Sequence, residues 1–238
     1  MTRHDVRAGY ATFARYAFPP NELGYCGPAD VPQVELGGHA RDFDGAWPYL
    51  EAIAEAAGID DPLDAEVVRS YWVGGALLDR VEPAALLARL REAFTGQITG
   101  LLGDLATPAG VLAHHSFHVF AVYPWVRFLD RDPTTPVQVM QDCRIRWGTV
   151  DCVDGEHAMV SSRPLTYVDG VLGLGEAAAE RVRWTRDGVS LTRAPVPGDT
   201  VAAHWDWVCA TLTADECAAL SAATRTTLVL VNDARNRS

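Results

Sequence analysis

Apolar residues between Asp5 and Leu129 recur mostly at the spacing of an α-helix. One stripe of such residues runs through Phe43–Ala57, and a second runs through Leu86–Leu105. Pro83, just ahead of the second stripe, suits the first turn of a helix. The pattern therefore predicts a mainly helical first part of the chain, whose helices turn apolar faces toward a core.

The pattern changes from helical to alternating after Asp130–Pro136, a segment that is charged and then carries two prolines. Asp-Gly pairs at positions 154–155, 169–170 and 187–188 separate short runs of strand-forming residues. Such pairs are a strong signal for tight hairpin turns. The second part is therefore predicted to be a small antiparallel β-barrel, and the change of pattern marks a domain boundary.

The chain ends in a predicted helix. Thr213, followed three residues later by Glu216, has the spacing of a capping box that opens a helix through Leu220. Taken together, the sequence predicts an α+β fold with two domains. Residues 1–136 form a mainly helical domain of unknown role, and residues 137–238 form a small OB-like barrel closed by a C-terminal helix.

Composition narrows the range of functions. The chain has 238 residues and is 48% hydrophobic, which is enough for a buried core. Its 20 basic residues are all Arg, and against 31 acidic residues they leave a net charge of −11. An acidic chain without a basic patch is not expected to bind nucleic acid or a membrane surface. The absence of Lys excludes Schiff-base catalysis by lysine and a P-loop.

The expected cellular location of the protein agrees with the number and spacing of its cysteines. The N-terminus lacks the apolar run of a signal peptide, and no segment approaches the roughly 20 apolar residues of a membrane span. The five cysteines are odd in number, scattered, and form no CxxC pair. We therefore expect a soluble, cytoplasmic protein without structural disulfides and without a four-cysteine zinc site.

Two residues in the second part are candidates for chemistry. Cys143 precedes a predicted strand, and the positive charges of Arg144 and Arg146 would favour its thiolate, the form that binds metals. His204 ends the predicted strand after Gly198. The alternatives are a cysteine that serves only as a small buried residue and a histidine that bonds a nearby side chain.

A second candidate site lies in the helical part. His114 and His118 are four residues apart, which on an α-helix places both imidazoles on one face, as in helical zinc and iron sites. Cys26, in a loop rich in Gly and Pro, is a weaker candidate for a third ligand. The alternative is a pair of buried, hydrogen-bonded histidines in an otherwise apolar segment.

The second part resembles a known family. Cys143, Gly148 and Val150 are similar to the Cys-x4-Gly-x-Val start of the HypC/HupF chaperones, which serve in the maturation of nickel–iron hydrogenases. Gly198–His204 is similar to that family's Gly-Asp-x-Val-x-x-His strand, and an acidic helix follows in both. The first part, through Leu23–Pro28 and His114–His118, resembles an uncharacterised actinobacterial family associated with hydrogenase loci.

The resemblance implies a non-enzymatic chaperone or adaptor that carries the Fe(CN)2CO fragment. Its partners would be a HypD-like scaffold and the precursor of the hydrogenase large subunit. Cys143 would be the thiolate that touches the iron, and His204 the neighbouring polar group. Two alternatives remain open: a metal- or haem-dependent enzyme with its site around His114 and His118, and a protein interaction module unrelated to hydrogenase.

Overall fold

Helices occupy the first half of the chain in the computed structural model, which describes residues 3–237 and the side chains of residues 8–237. The α-helices are α1 (Arg3–Glu22), α2 (Trp47–Ala57), α3 (Ala65–Trp72), α4 (Pro83–Ala93), α5 (His115–Phe117), α6 (Thr134–Cys143) and α7 (Ala214–Arg235). Tighter 3-10 segments cover Gln33–Asp42, Ala76–Arg80 and Pro124–Phe128, and one wide π-helical segment covers His118–Val122. The predicted α+β class, with helices first and a helix last, is confirmed.

The second apolar stripe is not one helix. Helix α4 ends at Ala93, and Gly96 takes a left-handed φ of 81° that turns the chain away. Ile98 is exposed, whereas Leu101 and Leu105 are buried through an irregular segment. The backbone N–H of Leu101 bonds the carbonyl of Ala121 at 2.7 Å. The apolar residues recur there because they are buried, although the segment that carries them is irregular and not helical. The prediction of a continuous helix through Leu105 is wrong.

The strands form one main sheet and two small hairpins. The strands are β1 (Arg146–Asp154), β2 (His157–Ser162), β3 (Leu165–Val168), β4 (Val171–Leu174), β5 (Ala178–Arg183), β6 (Thr185–Arg186), β7 (Val189–Ser190), β8 (Thr200–His204) and β9 (Trp207–Thr211). The main sheet has the order β1-β2-β5-β9-β8, and β8 pairs again with β1, so that the pairing returns to its start. Strands β3 with β4 and β6 with β7 form separate two-stranded sheets.

One pairing in the main sheet is parallel. Strands β5 and β9 run in the same direction where Arg183 lies opposite Trp207, whereas the other pairs of this sheet are antiparallel. A closed ring with five strands cannot alternate in direction all the way round, so one parallel pair is unavoidable. The predicted all-antiparallel sheet is therefore mixed.

The Asp-Gly hairpin turns are confirmed. Asp169 and Gly170 join β3 to β4 with φ of 50° and 81°, and Asp187 and Gly188 join β6 to β7 with φ of 51° and 80°. Positive φ at both central residues is the type I′ geometry that matches the twist of the flanking strands. The turn between β1 and β2 differs, because Asp154 pairs with His157 and only Gly155 of the two central residues has a positive φ, at 54°.

The larger hydrophobic core contains residues from both parts of the chain. Phe13 and Trp72 from the helices share this core with Trp207 and Cys209 from strand β9. Helix α6 crosses the predicted boundary between residues 136 and 137, and the division into two domains stays a prediction. A second, smaller core lies within the main sheet and is built from Val150, Ala158, Val160, Val182, Val201, Ala203 and Val208. Across residues 3–237, no helix is long and apolar enough to cross a membrane.

The capping box of helix α7 is confirmed, and the helix runs on to Arg235, well past the predicted Leu220. The Thr213 hydroxyl accepts from the Glu216 N–H at 3.2 Å, and the Glu216 carboxylate accepts from the Thr213 N–H at 2.8 Å. These bonds satisfy donors that the helix start would otherwise leave open.

Thr213→Ala is therefore expected to lower the free energy of unfolding by about 1 kcal/mol. Urea unfolding measures the change, and the slope with urea should stay the same. Thr226→Ala is the matched control, because Thr226 lies exposed within the same helix and loses no cap. Equal losses in the two variants would contradict the role of the capping box.

Candidate metal centre

Three ligand-type side chains from distant parts of the chain converge in the interior. His115 comes from α5, Cys143 is the last residue of α6, and His204 ends strand β8. Their ligand atoms all lie within 4.8 Å of one another, and all three residues are buried. It is the one such group of three or more found among residues 8–237, whose side chains the structure describes, and its geometry could hold a metal ion.

His204 presents a free lone pair. Its Nδ1 lies 2.7 Å from the carbonyl oxygen of Tyr16, so the Nδ1–H donates and Nε2 of the neutral ring is left unprotonated. That buried Nε2 has no hydrogen-bond partner in the described part of the chain. Burial lowers the pKa of His204 well below its ordinary value. An imidazole that donates one N–H to a backbone carbonyl is the usual state of a metal-ligating histidine.

His115 has a similar arrangement. Its Nε2 lies 2.9 Å from the carbonyl oxygen of Cys143 and must donate to it, which leaves the lone pair on Nδ1. The Tyr71 hydroxyl lies 3.1 Å from this Nδ1 and can donate instead to the carbonyl of Gly45 at 3.0 Å. Burial lowers the pKa of His115 to about 4, so the ring is neutral at neutral pH. Nδ1 is thus the ring nitrogen of His115 with a lone pair, and this lone pair is free of the Tyr71 proton when that hydroxyl donates to Gly45.

Cys143 is a thiol in the metal-free protein. Burial raises its pKa above the ordinary value, and the nearby Arg146 opposes this only weakly. The guanidinium of Arg144 instead donates to the carbonyl of Arg163 at 2.5 Å, and that of Arg146 pairs with Glu180 at 3.1 Å. Arg146 therefore acts in the predicted direction, but burial outweighs it, and the prediction that the arginines keep Cys143 as a thiolate is wrong. A metal ion would supply the positive charge that ionises the thiol, with release of a proton.

Arg146 fixes the two segments that carry Cys143 and His204. Its guanidinium donates to the carbonyls of Gln141 at 3.2 Å and Asp142 at 3.1 Å, at the end of α6. It also donates to the carbonyl of Trp205, the residue after His204. Its side chain is only 4% exposed and is paired with Glu180. One buried cation thus joins the end of the helix to the end of strand β8.

Arg146→Gln is expected to lower the free energy of unfolding by about 3–5 kcal/mol, because it leaves Glu180 and backbone carbonyls without their buried partner. Urea unfolding with a chelator present measures this loss without a contribution from metal. Arg181→Gln is the matched control, since Arg181 is exposed on strand β5 and bonds His157. A loss at Arg146 no larger than the loss at Arg181 would show that Arg146 does not have this role.

The three residues line a cavity of about 610 Å³, within the usual range for ligand sites, roughly 300–1,000 Å³. Aromatic side chains dominate its wall: Tyr25, Phe43, Tyr71, Trp72, Phe94, Tyr123, Trp125 and Trp205. The indole N–H groups of Trp72 and Trp205 are buried and have no hydrogen-bond partner among the described residues. The cavity therefore combines a cluster of metal-type ligands with a largely aromatic wall.

The structure separates the predicted pair His114 and His118. His114 precedes helix α5 in an extended conformation, and His118 begins the wider π-helical segment, so the assumed one-face spacing is absent. His114 Nδ1 caps α5 by accepting from the Ser116 N–H at 3.0 Å. His118 lines the cavity, and its Nδ1 lies 3.3 Å from the Tyr49 hydroxyl. In the described chain neither residue belongs to a group of three ligands, and a second site there stays a prediction.

Cys26 lines the same cavity as Cys143. It is half-buried, and burial raises the pKa of its thiol to about 12. The side chain of Asn21 holds the loop by donating to the carbonyls of Cys26 at 2.9 Å and Pro28 at 2.8 Å. Cys26 is outside the group whose ligand atoms lie within 4.8 Å of one another. Its role as a ligand stays a prediction.

Sequence reasoning missed His115, which stands between His114 and Ser116 in the segment that drew attention to its neighbours. The sequence signal that could have indicated His115 was the presence of three histidines close together, and not the four-residue spacing between two of them. Which ring meets Cys143 depends on where a short helical turn begins. His114 caps that turn, and the ring of His115 projects to the carbonyl of Cys143.

Comparison with known proteins identifies one family. Residues 5–238 match a family of unknown function (DUF6390). No curated protein and no solved structure matches the chain. The family match covers the helices, the strands and helix α7, so all three residues of the candidate centre lie within it. The chain therefore belongs to this family of unknown function.

Proposed function

We propose that this protein binds a metal centre through His115, Cys143 and His204. The observation that carries the proposal is the buried Nε2 of His204, which is unprotonated, has no partner among the described residues, and belongs to a cluster with a thiol and a second imidazole. A buried acceptor without a partner costs free energy, and a metal ion at this position would remove that cost.

The donor set indicates which metals suit the site. One thiolate and two imidazoles favour zinc, copper or iron over the oxygen-seeking magnesium and calcium. Three protein ligands also leave one coordination position open, as in catalytic or carrier sites. His115, Cys143 and His204 line the cavity, so the open position is available to a small ligand held there.

The resemblance to the HypC/HupF chaperones suggests the cargo. Two of the three residues are the ones that the resemblance places at the iron, Cys143 as the thiolate that touches it and His204 as the neighbouring polar group. A soft thiolate suits low-spin iron with strong-field ligands. We therefore assign the cargo as the Fe(CN)2CO fragment.

In this proposal the protein is a maturation chaperone rather than an enzyme. It takes the iron fragment from a HypD-like scaffold and passes it to the precursor of a nickel–iron hydrogenase large subunit. The closed order of the main sheet, with helix α7 after it, is compatible with an OB-like barrel of the HypC kind. The cysteine of those chaperones is exposed at the N-terminus, whereas here residues from the helical part line the cavity at Cys143 and would surround the proposed cargo.

A metal- or haem-dependent enzyme is the second candidate, favoured by the position of His118 in the lining of the same cavity. Such an enzyme would retain stoichiometric metal or haem in Cys143→Ala and lose it when His114 and His118 are both replaced by Ala. The chaperone would lose its iron fragment in Cys143→Ala and keep it when His114 and His118 are both replaced by Ala.

Infrared spectroscopy tests the proposed cargo. The protein is purified without oxygen from cells that express the hydrogenase maturation machinery, as wild type, Cys143→Ala and Cys152→Ala. Cys152 is the matched control because it is an exposed cysteine on strand β1. Cyanide and carbon monoxide stretches should be present in wild type and in Cys152→Ala and absent from Cys143→Ala. Their absence from all three proteins would refute the iron-fragment cargo.

A further inference from the structure

The hydroxyl of Tyr71 lies within hydrogen-bond distance of two acceptors next to the candidate metal centre. Its oxygen is 3.1 Å from Nδ1 of His115 and 3.0 Å from the carbonyl oxygen of Gly45. Tyr71 is buried, and burial raises the pKa of its hydroxyl well above the ordinary value, so the hydroxyl keeps its single proton. While Nδ1 of His115 carries a lone pair, the two acceptors compete for this one proton.

The other tautomer of His115 removes this competition. When the ring proton is on Nδ1, the Nδ1–H donates to the Tyr71 oxygen, and the Tyr71 hydroxyl donates to the carbonyl of Gly45. A hydroxyl can accept and donate at the same time, so both distances become hydrogen bonds without movement of the heavy atoms. The cost is at Nε2, whose lone pair then faces the carbonyl oxygen of Cys143 at 2.9 Å. Repulsion between these two acceptors favours the Nε2–H tautomer until a cation binds Nε2.

The two ring nitrogens of His115 have different surroundings. Nε2 faces the main chain of Cys143, the residue that supplies the thiol, whereas Nδ1 faces the Tyr71 hydroxyl. The ring centroid of His204 is 5.2 Å from that of His115. Burial lowers the pKa of His204 and the carbonyl of Cys143 opposes this, so the same carbonyl lies beside both imidazoles. Nε2 is therefore the nitrogen of His115 nearer to the other two ligands, and it can bind a metal only when the ring proton is on Nδ1.

We propose that Tyr71 positions His115 for the metal by holding the ring in the tautomer with its proton on Nδ1. On metal binding, the ring loses the proton at Nε2 and gains one at Nδ1, so it stays neutral. Tyr71 accepts from the new Nδ1–H and donates to Gly45. A ligating histidine usually donates its second N–H in this way, which orients the ring and raises its basicity. Tyr71 does not touch the metal, and its role rests on the proposed metal centre.

Gly45 provides the acceptor at the end of this chain of hydrogen bonds. A Cβ atom at Gly45 would lie 2.7 Å from Nε2 of His118, so the main chain at residue 45 packs directly against that ring. His118 is buried, and its Nδ1 lies 3.3 Å from the hydroxyl of Tyr49. The contact with His118 therefore limits the movement of the Gly45 carbonyl that accepts from Tyr71.

Zinc affinity, measured by competition with a chromophoric chelator, tests the role of Tyr71. Tyr71→Phe removes one oxygen atom and should weaken zinc binding by about ten- to a hundredfold, the usual effect of losing the partner of a ligating histidine. Tyr49→Phe is the matched control, because Tyr49 is also buried and its hydroxyl bonds His118, which is outside the group of three ligands. It should leave the affinity unchanged, and circular dichroism checks that both variants keep the fold.

Nitrogen-15 NMR of the histidine side chains in the wild-type protein gives a readout that a purely structural role of Tyr71 would not change. The ring proton of His115 should be on Nε2 without metal and on Nδ1 with zinc, and His115→Gln assigns the signals. Zinc bound to Nδ1 of His115, or equal zinc affinities of Tyr71→Phe and wild type, would overturn the inference and leave the metal centre standing. Failure of the wild-type protein to bind zinc would instead refute the metal centre itself, and with it the role of Tyr71.

Discussion

Cys143→Ser will lower the affinity of the protein for zinc by about a thousandfold, which corresponds to about 4 kcal/mol. Zinc serves as the probe because its N- and S-donor preferences fit the two imidazoles and the thiolate. A full ligand set in a structural zinc site contributes about 10–16 kcal/mol. The loss of one ligand in three should remove about a third of that free energy, in agreement with the value of about 4 kcal/mol. The serine hydroxyl is close in size to the thiol but does not ionise to replace it.

Competition against a chromophoric chelator at neutral pH measures the affinities. Cys152→Ser is the matched control, because it removes an exposed thiol from the neighbouring strand β1 and should leave zinc affinity unchanged. Far-ultraviolet circular dichroism checks that both variants keep the fold. If Cys143→Ser and the wild type bind zinc equally tightly, Cys143 is not a ligand.

The metal-free protein will lose stability steeply as the pH falls from about 6.5, the ordinary pKa of histidine. Burial lowers the pKa of His115 to about 4 and of His114 and His118 to about 3, and it lowers that of His204 well below the ordinary value. Below pH 6.5 the unfolded chain therefore binds protons that the folded chain does not. Each such histidine costs about 1.4 kcal/mol per pH unit until the pH reaches its folded pKa.

The sign of this effect is the same as for a carboxylate in an ion pair, and only the pH window differs. Stability is fully present above about pH 6.5 and is lost as the pH falls toward 4. Urea unfolding at several pH values, with a chelator present, gives the number of protons taken up on unfolding. About four are expected from the histidines near pH 5. Uptake below one proton would contradict the burial of these rings as neutral groups.

The sequence was sufficient for the local parts of the fold. Periodicity identified helix α2, the Asp-Gly pairs identified three hairpin turns, and Thr213 with Glu216 identified the start of α7. The parallel pairing of β5 with β9 depends on closing the ring of strands. No short window of sequence carries that information. The early end of α4 was missed because buried leucines continue, at helical spacing, through an irregular segment.

The site was predicted only in part. Cys143 and His204 stood out as candidates, and the structure brings them together. His115 was missed because its position depends on the register of a short helical turn after His114. The predicted protonation state of Cys143 was wrong because the arginines that follow it in the sequence donate to other acceptors in the fold. Burial of the thiol then determines its pKa. Neighbours in sequence are a poor guide to the charges that surround a buried group.

X-ray absorption spectroscopy of the zinc-loaded protein tests the metal centre most directly, because it identifies the ligand atoms and their distances without any variant. The account predicts one sulfur at about 2.3 Å and two imidazole nitrogens at about 2.0–2.1 Å, with a fourth light ligand from solvent. Those donors correspond to Cys143, His115 and His204. A first shell made only of oxygen and nitrogen, or one with no imidazole, would contradict it.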